Sequence, residues 1–298
     1  MRRNDHDVTD SVRTTDPAAV AGEVVRIYRE LFDPVPAGPL VRAFRDATSF
    51  YQGRHPDYFP CDTAYHDLQH VLDVTLAMAR LLDGYQRGDR PARERLTPHL
   101  FLAGVVAALF HDFGYLRRRK DRRHRHGAEY TLTHVSRGAA YLRGYARQLG
   151  MDTAAACAAA TLVHYTGYER PIEAIRVDDA LLRRVGQMLG TADIMAQMAD
   201  RCYLEKCRDR LYTEFVLGGL ANFRSAQDLL HKTPAFYQSA MQRLDLQLAG
   251  SHRFARSHFG GDNPYFDEIG KNIRYAQRMA ATPDAELRRQ PPSTLVDD

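Results

Sequence analysis

Residues 65–82 read YHDLQHVLDVTLAMARLL. Leu68, Val71, Leu72, Val74, Leu76 and Met78 keep this stretch apolar around a helix. His66, His70 and Asp73 are spaced four and three apart, so they fall on one side of it. An otherwise apolar helix therefore presents two imidazoles and a carboxylate together. Alone, the histidines read as core residues bonded to backbone, because histidine is intermediate in its preference for burial. Whether they do more depends on other polar points in the chain.

Outward from this stretch, helix-period patterns succeed one another over about 17–32, 38–50, 64–86, 97–112, 127–149, 152–166, 178–199, 201–218, 234–250 and 264–280. Turn clusters separate them, among them FDPVPAGP, YQGRHPDYFPCD, GYERP and GGDNP. Gly150 reads as a helix stop, and Asp152 and Asp178 as N-caps. No alternating strand pattern competes, and no repeat or linker divides the chain. The expectation is an all-α fold, a single multi-helix bundle over residues 17–283, with polar, poorly ordered tails at 1–16 and 284–298.

The chain has 298 residues, 44% hydrophobic and 26% charged, which is the composition of a folded globular protein. Its longest apolar run, Leu100 to Phe110, is 11 residues, short of a bilayer crossing, so no membrane span is expected. No secretory h-region opens the sequence, and the four cysteines lack a disulfide framework; a reducing cytoplasm is the expected compartment. Cys202 and Cys207 are five apart, which does not suit a zinc pair. The net charge of +4 is concentrated in RRRKDRRHRH, residues 117–126, with six Arg and one Lys against one Asp. Such a block attracts phosphates or is simply solvated.

Two further polar points stand on apolar helices. VVAALFHDFGY closes on His111 and Asp112. Burying an unpaired carboxylate costs several kcal/mol, so this pair needs a partner such as a cation. In GQMLGTADIMAQMAD, Asp193 lies amid Leu189, Ala192, Ile194, Met195 and Met198, with Gln197 one turn further on the same face. His70, His111, Asp112 and Asp193 form the mixed nitrogen and oxygen donor set that borderline divalent metals accept.

At these residues the chain resembles a known group. Residues 65–82 are similar to the Tyr-His-Asn-x-x-His helix of cyclic-nucleotide phosphodiesterases, with Asp67 in place of Asn. HDFGY (111–115) is similar to their His-Asp pair, and TADIMAQMADRCYLEKCRDRLYTEF (191–215) to the helix carrying their last metal ligand and its following Glu-Phe. The wider group is the HD superfamily of metal-dependent phosphohydrolases, and the likeness covers roughly 50–220. It implies an HD-domain bundle in which His70, His111, Asp112 and Asp193 bind one or two divalent ions (Mg, Mn, Zn or Fe). Asp112 bridges them and His66 is the general acid. Asp73 and Gln197 are then supporting partners, Asp73 accepting the second N–H of His70.

The sequence departs from that pattern at Asp67 and at Tyr115, which stands near where the group has a further histidine. His126, His164 and Glu129 are the candidates to replace it at a second metal or at the substrate. Arg117, Arg118, Arg119 and Lys120 follow Asp112 directly and are candidates to hold substrate phosphate. Gln238 is the candidate for reading a purine. The expected function is metal-dependent hydrolysis of a phosphoester, a (cyclic) nucleotide phosphodiester first among them. The alternatives are an HD-type di-iron oxygenase and a non-catalytic nucleotide-binding module. The expected partner is a phosphorylated small molecule, with neither membrane nor nucleic acid involved and a homo-oligomer allowed.

Overall fold

The computed structural model describes residues 2–220, 222–281 and 286–293. Helices begin where the sequence supplies side-chain acceptors for their first amides. Asp16 caps α1 (Pro17–Phe32), which precedes α2 (Gly38–Tyr51). Asp67 caps α3 (Leu68–Arg87), its Oδ1 accepting from the His70 amide at 2.9 Å. Thr97 caps α4 (Pro98–Phe110), and α5 is His134–Gln148. Asp152 caps α6 (Thr153–Leu162), and Asp179, one residue later than expected, caps α7 (Ala180–Ala199). A π turn, Cys207–Leu211, joins α8 (Tyr203–Lys206) to α9 (Tyr212–Leu217). Ser225 caps α10 (Ala226–Gln242), and α11 (Phe254–His258) and α12 (Pro264–Ala281) complete the chain. No β-strand occurs among the described residues, only two isolated bridges. The fold is all-α.

Several boundaries differ from the sequence expectation. The residues at 64–67 precede α3, because Asp67 is spent on its cap. The segment 127–149 is not one helix: a 3₁₀ turn at Gly127–Tyr130 and a break at Thr133 come before α5. The expected helix at 234–250 begins at Ala226, where Ser225 offers the cap, and Pro234 lies inside it.

α3 is the central element and packs against α7, α4, α1 and α11. Its residues are buried nearly all round, as expected of a helix with neighbours on every side. α4 is buried from Phe101 to Phe110. The segment Ala92–Tyr115 is long and apolar enough to pass as a membrane span, but 78% of its apolar window is buried inside the bundle.

The expected N-terminal tail is packed in place. Asp7 and Arg80 form an ion pair of 2.6 Å, with both side chains 2% exposed. Arg80 also donates to the Tyr265 hydroxyl, and Arg2 donates to the Ala199 carbonyl. At the other end Arg289 donates to Asn272 and stacks on Tyr275, so the described part of the expected C-terminal tail, 286–293, is also anchored. Residues 284, 285 and 294–298 lie outside the described residues.

Candidate metal centre

Three helices deliver the donor groups. His70 projects from the first turn of α3, His111 and Asp112 follow the last turn of α4, and Asp193 lies in the C-terminal half of α7. Ligand atoms of His70, His111 and Asp193 all fall within 4.8 Å of one another. Asp112 completes the group: its Oδ2 is 3.3 Å from His70 Nε2 and 3.1 Å from His111 Nε2. His70 and His111 bring their Nε2 atoms within 3.3 Å of each other.

The surroundings prepare these atoms for a cation. His111 Nδ1 donates to the Ala108 carbonyl at 2.8 Å, which in the neutral ring leaves Nε2 as a lone pair aimed at the cluster. Asp112 is 3% exposed, and no donor reaches its Oδ2 in bonding geometry. Burial lowers the pKa of His70, but the adjacent carboxylates of Asp112 and Asp193 outweigh it and raise it to about 10. Burial would raise Asp112, yet the charges of His111 and His66 hold it well below the usual carboxylate range. The cluster thus demands positive charge, which a proton or a metal ion supplies. An orphaned carboxylate oxygen beside two imidazole nitrogens fits a divalent ion.

In sequence, His134 competes with His124 and His126 as the histidine that follows the basic loop into the site. At the start of α5 its Nδ1 donates to the Thr131 carbonyl at 2.7 Å, and its Nε2 lies 3.6 Å from Asp112 Oδ1, the oxygen facing away from His70 and His111. Burial lowers its pKa, which keeps the ring neutral and able to ligate. Gly114 makes this approach possible, because a Cβ there would collide with the His134 carbonyl. Tyr115 is stacked between His66, with centroids 4.6 Å apart, and His134, at 4.2 Å.

His66 is not turned to the ligands but to Glu214. Its Nδ1 donates to Glu214 Oε2 at 2.5 Å, and the other carboxylate oxygen accepts from the backbone amides of Tyr65 and His66. Burial opposes the charged imidazole, but Glu214 and then Asp112 overcome it, so the pKa is raised. Glu214 is 2% exposed on α9, beyond the π turn that resets the helical phase.

Other expected site residues lie elsewhere. His126 accepts from the Ala128 amide and Glu129 from the amides of Arg125 and His126; the pair is a capping box for the 3₁₀ turn. His164 stands half-buried on another 3₁₀ turn, Val163–Tyr165, with Arg170, Glu169 and Arg143 as its charged neighbours. Asp73 makes no hydrogen bond to His70; burial and Asp200 push it up to about 7. Gln197 accepts from the Tyr65 hydroxyl at 3.2 Å and faces the cavity described below. In the basic loop Arg117 pairs with Asp62 and lies over Phe59, Arg118 donates to the Tyr58 hydroxyl, and Arg119 donates to the Gly53 carbonyl. Lys120 borders grooves with Tyr58 and Tyr141. These cations are turned away from the cluster because acceptors and aromatic faces on the 53–62 segment engage them. Gln238 is exposed and away from the cavity.

A cavity of about 480 Å³ opens over the cluster. His66, Asp112, His134 and Asp193 form one end of it. No family model, curated protein or solved structure matches this chain. The functional reading therefore rests on the chemistry of this cluster and on the sequence likeness already described.

Proposed function

We propose that the protein is a metal-dependent phosphohydrolase that cleaves a phosphodiester, as the likeness to HD-type enzymes implies. The observation that carries this reading is the placement of a carboxylate-held imidazole, His66 with Glu214, at the same cavity end as His70, His111, Asp112 and Asp193. One or two divalent ions, which His70, His111, Asp112 and Asp193 would hold with His134 3.6 Å from Asp112 Oδ1, would activate a water and offset phosphoryl charge.

The chain's own residues then have distinct tasks. Glu214 accepts from Nδ1 of His66 and so favours the imidazolium, whose Nε2–H is the proton available to the cavity. In the reaction the water oxygen bonds to phosphorus and the bond from phosphorus to the leaving oxygen breaks. That oxygen takes the His66 proton, the attacking water's proton passes to solvent, and His66 takes up a proton from solvent for the next turnover. Tyr65 holds Gln197 by its carbonyl oxygen, leaving the amide N–H groups to meet a phosphoryl or ester oxygen.

The test is to strip the protein with a chelator, restore Mg, Mn, Zn or Fe singly, and follow bis(p-nitrophenyl) phosphate with and without dioxygen. Metal-dependent, oxygen-independent hydrolysis is expected. Turnover that requires iron and dioxygen would replace this reading with the di-iron oxygenase, and metal binding without hydrolysis would favour the binding module.

A further inference from the structure

The cavity has one charged end and walls that are mostly apolar, with Thr166, Glu169, Asn222, Lys232 and Thr233 among the polar exceptions. Ile194, Leu211, Phe215, Leu220, Phe223 and Leu229 form much of its sides. Among the described lining residues the one Lys or Arg is Lys232, and its ammonium is engaged by Asp228 Oδ2 at 2.9 Å and the Asn222 carbonyl at 3.2 Å. Arg243 is not among the lining residues; its Nη2 donates to the carbonyls of Tyr165, Thr166 and Gly167, and its guanidinium lies over Tyr168. The four basic residues that follow Leu116 face other surfaces. A second or third phosphate would therefore find beyond the metal end only Lys232, already paired with Asp228, and burying it unpaired is costly.

The apolar side also offers a base no slot between two rings. Phe215 and Phe223 stack on each other with centroids 5.7 Å apart and planes 9° apart. A base between them would need the rings about 7 Å apart, one ~3.5 Å contact on each face. Apolar surface also continues out of the cavity. Leu132, Tyr168 and Phe236 line its mouth and are 66%, 70% and 38% exposed. Val216 and Leu217, next to Phe215 in the chain, are also exposed. Exposed apolar side chains gathered at a cavity mouth mark a binding surface.

We infer that the substrate is an amphiphilic phosphodiester, with one anionic phosphoryl group for the metal end and a long alkyl or acyl ester group that fills the cavity and lies along its mouth. This rests on the phosphohydrolase reading and narrows it away from nucleotides. The volume suits such an occupant, since pockets for organic ligands of this size run from about 300 to 1,000 Å³.

The test is a series of alkyl p-nitrophenyl phosphates, from methyl through butyl and octyl to dodecyl. Each is assayed as monomer with the metal restored, by p-nitrophenolate release, beside cyclic AMP and ATP. Each buried methylene can contribute up to about fourfold. The expected result is kcat/KM rising at least about 30-fold from methyl to octyl, with cyclic AMP and ATP slower than the octyl ester. Leu132→Asp and Phe236→Asp should each reduce the octyl-to-methyl ratio. A ratio that stays flat in the wild type, or faster turnover of cyclic AMP or ATP, overturns the inference and leaves the hydrolase reading standing. If no member of the series is cleaved with any metal, both fall.

Discussion

Replacing Glu214 with Gln separates the task of the acid from that of the ligands. The carboxylate is 3% exposed in its side chain and 2.5 Å from His66 Nδ1, a buried and charge-assisted contact. Gln keeps an oxygen for the amides of Tyr65 and His66, but it presents N–H₂ to Nδ1. The imidazole must then accept at Nδ1 and is left neutral, with a weakly acidic Nε2–H. Hydrogen bonds to charged groups contribute about 1.5–3 kcal/mol, so the variant should lose roughly 10- to 150-fold in kcat. The loss should depend on the leaving group, because an oxygen stable as an anion needs little protonation. The assay compares diphenyl phosphate with bis(p-nitrophenyl) phosphate at full metal content. A large fall for the first and a small one for the second is expected. Equal falls for both, or loss of metal, would refute the assignment of His66 as the acid.

His134→Ala should remove one donor beside Asp112 Oδ1, lowering metal content or affinity and reducing turnover about 10- to 100-fold, as loss of an orienting or weak ligand does. Unchanged metal titration and kcat would exclude that role. Asp7→Ala should destabilise the fold by about 3–5 kcal/mol, since it leaves Arg80 buried without its carboxylate; denaturant unfolding reads this directly. In the wild type, burial opposes and Arg80 favours the charged Asp7, whose pKa is lowered from 3.8 to about 2. That contribution of about 2 kcal/mol is present above the unfolded value and is lost as pH falls through about 2. Asp7→Asn should flatten this acid limb, and an unaltered limb would show that the N-terminal segment is not held by the pair.

The donor residues of the cluster were legible because imidazoles and carboxylates on apolar helices cannot be explained by solvation. His70, His111, Asp112 and Asp193 each stood out against their own segment. Glu214 enters only as the Glu of the Glu-Phe in the family likeness, and His134 only as one of several histidines in and after the basic loop. Glu214 sits in CRDRLYTEF, where charge is abundant, and its burial depends on a π turn that no residue pattern announces. His134 was hidden by a helix pattern running through 127–149, which the capping box at His126 and Glu129 interrupts. The basic loop follows Asp112 in the chain, but side-chain direction is set by partners far along the sequence, Asp62 and Tyr58, which spacing does not reveal. Polar composition made residues 1–16 read as a tail. The signal missed there was Arg80, a charge on the buried face of α3 that required an acid from somewhere.

The central claim is that His70, His111, Asp112 and Asp193 together hold a metal ion, and metal analysis of the purified protein beside Asp112→Ala tests it most directly. One to two equivalents of a divalent metal in the wild type, and loss of bound metal in a variant that remains folded by circular dichroism, are predicted. Full metal content in Asp112→Ala would contradict it.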